Sequence, residues 1–345
     1  MKSQDRKDAA RDSKKIRDTS YFGEHDLPKE QKKSLQKAIR LERINVVTKI
    51  IAVILIYSVA GNSQAMKAAW IEDALTIMPP VAFLIALRFI GRKPTPRHPY
   101  GYHRAMGIGH LVAAVALLAF GTYLLVDSAM GLFAGEHPPI GMIEIFGMTI
   151  WQGWLMVVVS IIVVIPSVII GRMNAKLAPP LHNKVLYADA DMNKADWMTG
   201  VATSVGIIGV GFGLWWFDTA VAILISFDII NDGFKNVRGG LAGLIDARAT
   251  TTNMKDPHPL IKKVREKLME LDWIDEADVR MRDQGMVFHT EAFVVPYKGQ
   301  MPSLDEVENV REELSDLDWK LHDLVIIPVA ELPDEFLPQI DQQEV

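Results

Sequence analysis

Residues 186–200 read LYADADMNKADWMTG and open an otherwise apolar stretch that runs to Trp216. A second apolar stretch, residues 68–89, reads AAWIEDALTIMPPVAFLIALRF and contains Asp73. Carboxylates inside a bilayer are costly, and acids retained there serve ions, protons or partners that offset the cost. Two such helices in one chain predict a path for cations through a membrane.

On a helix, residues three, four and seven apart share a face. Asp189, Asn193 and Asp196 satisfy that spacing, and Met192 stands four before Asp196; Asp191 falls off the stripe. In the other helix Thr76 and Ile77 follow Asp73 on its own face, while Glu72 is turned away by roughly 100°. Counted from Lys184 at the helical rise, Asp196 lies about 18 Å deep; counted from Arg88, Asp73 lies about 22 Å from the same side. The two carboxylates are therefore expected to meet near the bilayer centre. Asp189 is about 10 Å from Asp196 along the axis, too far for one ion to bind both. The expectation is a relay in which Asp189 attracts while Asp73 and Asp196 hold. The competing reading pairs these acids with bases of neighbouring helices, of which the spans contain few: Lys49 in the first and Lys194 in the fifth.

The bulk composition agrees with a membrane domain carrying a soluble tail. Of 345 residues, 49% are hydrophobic and 23% charged, but the two kinds are segregated. Residues 1–43 form a charged N-terminal segment, 44–238 the apolar domain, 239–256 a linker, 257–331 a compact soluble domain and 332–345 a tail. Six spanning helices are expected at roughly 44–62, 67–90, 107–133, 143–171, 184–213 and 217–236. Lys and Arg concentrate before the first span, in RFIGRKPTPRHPYGYHR, in GRMNAKLAPPLHNK and after the sixth. That bias predicts both termini on the cytoplasmic side, and a cell's inner membrane is the expected location. The polar first forty residues predict no cleavable signal peptide.

In the soluble part, Leu260, Ile261, Val264, Leu268 and Leu271 recur at helical spacing. ADVRMRDQ and MVFHTEAFVVP read as strands around a Gln-Gly turn, Ser303 with Glu306 as a capping box, and DLVIIPVAEL as a third strand. The α-β-β-α-β order suits a small ferredoxin-like sheet. The absence of Cys excludes disulfides and thiolate metal sites. No HExxH motif and no Ser–His arrangement occurs, so an enzyme is not expected, nor a prosthetic group or a nucleic-acid partner.

Taken together, IEDALTIMPP, RHPYGYHRA, LYADADMNKADWMTG and WWFDTAVAILISF resemble the cation diffusion facilitator family over roughly residues 44–330. The resemblance implies a divalent cation exchanged for protons, a lipid-embedded six-helix bundle and a homodimer joined through the cytoplasmic domain. It also implies a central site with two ligand positions in each of the second and fifth helices. Asp73 and Asp196 match the family's acids. The other two positions depart from it: Met192 stands where His or Asp is common, with Asn193 beside it, and Ile77 follows Asp73 by four. A shift of one residue compares Glu72 with Thr76 instead. An oxygen set of Asp73, Asp196 and Asn193 with Thr76 or Glu72 favours a harder or borderline ion such as manganese or iron and weakens the case for zinc, with the choice among Mn, Fe, Zn and Co left open. Met192 offers a thioether to a softer ion. In the basic loop HPYG is kept, but Tyr102 and then His103 follow, leaving His98 and His103 as second-loop candidates. The missing imidazole also leaves open a non-transporting member that binds metal or scaffolds a membrane assembly.

Overall fold

The computed structural model describes residues 27–60, 70, 73–92, 95–135, 141–145, 148–214, 216–321 and 323–333. The chain divides into two compact units. One comprises residues 30–88 and 105–241; the other includes 89–104 and the C-terminal part from Ala242.

The first unit is helical. Helix α1 (Lys29–Ala60) is followed by a helical turn at Asp73 and helix α2 (Met78–Ile90). Helices α3 (Ala105–Ala134), α4 (Gln152–Leu177), α5 (Lys184–Gly211) and α6 (Phe217–Leu244) complete it. Among the described residues, three segments are long and apolar enough to cross a membrane: Asp73–Ile90, Ala105–Ala134 and Gln152–Leu177. They stand where the second, third and fourth spans are expected. Helices α1, α5 and α6 occupy the positions of the first, fifth and sixth and run 32, 28 and 28 residues. Polar side chains dilute their apolar character, above all the buried Glu42, Asn45 and Lys49 of α1 and Asp189, Asn193 and Asp196 of α5.

Two boundaries differ from expectation. The basic segment before the first span is not a separate tail, because α1 is helical from Lys29. The fourth helix begins at Gln152 rather than near 143, because strands β1 (Met142–Ile145) and β2 (Met148–Trp151) pair antiparallel ahead of it. Ile143, Ile145 and Ile150 supply the β-branched residues that favour extended backbone there.

Packing in this unit relies on small residues. Helices α3 and α6 approach at Gly233, where an added Cβ would stand 2.8 Å from the Leu118 Cα. Leu117, Phe120 and Leu124 of α3, Met192 and Ala195 of α5 and Ile229 of α6 form one apolar cluster, with Leu75 against it. Ile56, Met156, Val157, Val159 and Ile207 form another between α1, α4 and α5.

The second unit has the expected element order: α7 (Pro259–Leu268), β3 (Ile274–Gln284), β4 (Val287–Pro296), α8 (Leu304–Ser315) and β5 (Asp323–Pro328). The sheet order is β3-β4-β5, with β3 antiparallel and β5 parallel to β4. The turn between β3 and β4 needs Gly285, whose φ of 85° is costly for any residue with a Cβ. Leu260, Val264 and Leu268 are buried against Ile274, Val279, Phe288 and Val294, with Ile261 and Leu271 partly buried beside them. Ser303 and Glu306 form the full reciprocal capping box that starts α8.

His289 on β4 is held inside this unit by carboxylates: Nδ1 faces the Asp323 carboxylate of β5, and Nε2 lies 3.1 Å from Glu291 Oε1. The hydrogen bond to Asp323 raises its pKa above the ordinary value, with Glu291 adding to the effect against burial. A group whose pKa is raised on folding contributes stability that is complete below its unfolded pKa, about 6.5 for His. The contribution is lost as pH rises through the folded value. Amide exchange in β4 is therefore expected to accelerate as pH rises from about 6.5, beyond the intrinsic trend of exchange itself. His289→Gln should abolish that excess in hydrogen-exchange mass spectrometry of the whole chain; an unchanged pH profile would assign the effect elsewhere.

Candidate metal centre

Helix α5 starts at the N-cap Asn183, whose side chain accepts from the Leu186 backbone N–H. That start fixes the rotation of the helix and turns Asp189, Met192, Asn193 and Asp196 inward, all of them buried. Their partners come mainly from α1, where Glu42, Asn45 and Lys49 are buried at the same spacing of three, four and seven. That spacing was readable in the sequence. It carries little signal there because these residues sit at the basic edge of the first apolar run, where polar side chains usually meet water.

The polar residues divide into two groups. In the first, the Lys49 ammonium is ion-paired with Asp196 Oδ2, and both side chains are only 4% exposed. The pairing of the acid with a base from a neighbouring helix, the competing reading of the sequence, is thus realised for Asp196. Lys49 is also close enough for its charge to act on Asp73. The Asp196 Oδ1 and Asp73 Oδ2 atoms are buried without hydrogen-bond donors. Asp73 and Asp196 are therefore both under the influence of the Lys49 ammonium. Thr76 spends its hydroxyl on the Asp73 backbone carbonyl at 3.0 Å.

The second group surrounds Asp189. Its Oδ2 accepts from the side-chain amides of Asn45 on α1 (3.1 Å), Asn193 on α5 (2.9 Å) and Asn174 near the end of α4. Asn193 also donates to the Asp189 carbonyl oxygen at 2.8 Å. The approach of α4 to α5 depends on Gly171, where a Cβ would come within 2.9 Å of the Asn193 Cβ.

The remaining candidates are placed apart from these groups. Met192 packs in the apolar cluster with Phe120, Leu117 and Ile229. Glu72 lies outside the described residues. Asp191 accepts from Asn236 on α6, which in turn meets His110 of α3. Lys194 reaches Asp228 and Asp232 of α6 rather than any inward-facing acid. In the basic loop His98 is exposed, packs on the Tyr102 ring and lies 3.2 Å from its hydroxyl, whereas His103 is buried. Among the described residues, no group of three or more His, Asp or Glu side chains is arranged to hold a metal. Any ion here would rely on two carboxylates supplemented by neutral oxygens.

Buried acids on apolar helices narrow the class of protein, and sequence comparison decides it. The model of the cation efflux transmembrane domain matches residues 44–245. The chain belongs to the cation efflux family. Members of the cation efflux family are metal cation transporters rather than enzymes, and this chain is accordingly an integral membrane protein of that family. It is 25% identical over 244 residues to the manganese efflux system protein MneS of Bacillus subtilis, covering 70% of this chain and 77% of that one. It is 23% identical over 310 residues to the uncharacterized transporter YdbO of the same organism, covering 89% and 99%. A further cation efflux relative, the manganese efflux system protein MneP of B. subtilis, is 20% identical over 237 residues, 66% and 73% of the two chains.

Proposed function

We propose that this chain exports a divalent cation, with manganese the favoured cargo, in exchange for protons by alternating access. The reading takes six spanning helices, both termini in the cytoplasm and a homodimer joined through the C-terminal domain. The observation that carries it is the buried Lys49–Asp196 pair acting on Asp73. Once the ammonium is displaced, the two carboxylates match the charge of a divalent ion. Two relatives bear manganese efflux in their names, and the donors present are oxygens, with no thiolate anywhere in the chain. Both point to a hard or borderline cation.

In this mechanism the cation arrives from the cytoplasm, displaces the Lys49 ammonium from Asp196 and is held by Asp73 and Asp196. Rocking of the helices then turns the site outward, where protons replace the ion. The carboxyls return neutral, which costs far less inside a bilayer than returning them bare. Thr76 and Glu72 are the candidate supplements to this pair, and Asp189 with Asn193 stands on the approach to it.

The test is transport in proteoliposomes over Mn, Fe, Co, Zn and Cd. Asp73→Ala and Asp196→Ala should each reduce metal flux to the passive leak, with Mn the best-carried ion of the wild type. The Lys49 clamp favours one alternative, a non-transporting member that scaffolds a membrane assembly. Absence of acid-dependent flux for all five metals would select that alternative.

A further inference from the structure

The mechanism above gives Glu42 no role and uses Asp189 and Asn193 only on the approach. Glu42 of α1 is fully buried, and neither of its carboxylate oxygens receives a hydrogen bond of acceptable geometry. Asn45 and Asn174 stand beside it, yet both direct their amide N–H groups to Asp189, whose negative charge opposes that of Glu42. The Oδ1 atoms of Asp189, Asn45, Asn174 and Asn193 are also buried without donors. Around Asp189, six oxygens on five side chains from three helices are therefore left unsatisfied. Lys49 attracts both carboxylates at a distance, but its ion pair is with Asp196.

Buried acceptors are nearly always satisfied, and a group left unsatisfied marks an absent partner. Two like charges facing each other in a buried setting need a positive partner even more. We infer that Glu42 and Asp189, with the carbonyl oxygens of Asn45, Asn174 and Asn193, form a binding site for a hard divalent cation. The two carboxylates supply the matching charge. A half-turn of each carboxamide exchanges Nδ2 for Oδ1 and points oxygen at the ion, so the amides that now hold Asp189 become ligands. With neither nitrogen nor sulfur among the donors, the site suits Mn²⁺, Mg²⁺ or Ca²⁺ and disfavours Zn²⁺ and Cu⁺. It is separate from the Asp73–Asp196 pair and does not depend on that pair carrying transport.

The experiment is a Mn²⁺ titration of the purified full-length chain in detergent, with free Mn²⁺ read by electron paramagnetic resonance. Glu42→Gln, nearly isosteric, should weaken binding at least about tenfold, as even indirect partners of metal ligands contribute that much. Asp191→Asn removes an acid from the same helix but outside the cage, and should leave affinity unchanged. Without metal, Glu42→Gln should melt at or above the wild-type temperature, because it removes a buried unpaired charge; this separates lost binding from lost folding. Wild-type affinity in Glu42→Gln, or loss of Mn²⁺ only in Asp196→Asn, overturns the inference. Intact Glu42-dependent binding without transport overturns the proposed function alone.

Discussion

Lys49→Leu is expected to destabilise the chain by about 3–5 kcal/mol, the range found when one partner of a buried ion pair is removed. The ammonium is the hydrogen-bond donor to Asp196 Oδ2, and Asp196 Oδ1 is already buried without one. Deleting the base strands a carboxylate whose side chain is 4% exposed. Asp196→Leu should also be costly, because it removes the lysine's ion-pair partner. The double change removes both charges together, and apolar replacements of buried pairs are commonly neutral or stabilising. Lys49→Leu/Asp196→Leu should therefore lose less than the two single changes add up to, while the lost attraction on Asp73 keeps it below the parent. Unfolding in mixed micelles measures all three, and the single changes should lower the melting temperature by roughly 10 °C. Additive losses in the double variant would mean that the two side chains act separately.

The second large effect is expected at Asp189. One of its oxygens receives amides from three different helical positions, Asn45, Asn174 and Asn193. Asp189→Ala strands the amides of Asn45 and Asn174 in a buried site, at about 1–3 kcal/mol for each group left without a partner, while Asn193 keeps its bond to the Asp189 backbone carbonyl. Part of that is returned because the repulsion with Glu42 disappears. A net loss of about 3 kcal/mol is expected in the same unfolding measurement. Asp189→Asn keeps an acceptor oxygen of the same shape while removing the charge, and should cost much less than the alanine change. Equal losses for the two variants would show that charge, rather than the lost acceptor, sets the energy.

The sequence reveals one half of this site more readily than the other. Asp73, Asp189, Asn193 and Asp196 stand out because each interrupts an apolar stretch at helical spacing. Glu42, Asn45 and Lys49 carry the same periodicity, yet they border a basic segment in which polar residues need no special reason. Asn174 lies in a stretch that reads as a loop, and only the extension of α4 to Leu177 brings it to Asp189. Which acid meets which base is a matter of tertiary approach. Spacing along one helix does not encode it, and so Lys49 weighs more in the structure than its lone position among apolar neighbours suggests. The C-terminal unit was easier to read, because its signals are local: a glycine turn, a capping box and a period of apolar residues. The β1–β2 pair is not legible, because four-residue strands rich in isoleucine are as apolar as the start of a spanning helix.

Gly171 carries one more consequence. With only hydrogen at that position, the fourth helix rests against the root of the Asn193 side chain, leaving no compliant layer between them. Neither helix can pivot there without dragging the carboxamide along. The pair would then swing as a single lever, and a change in the tilt of either would be felt at once by whatever those oxygens grip.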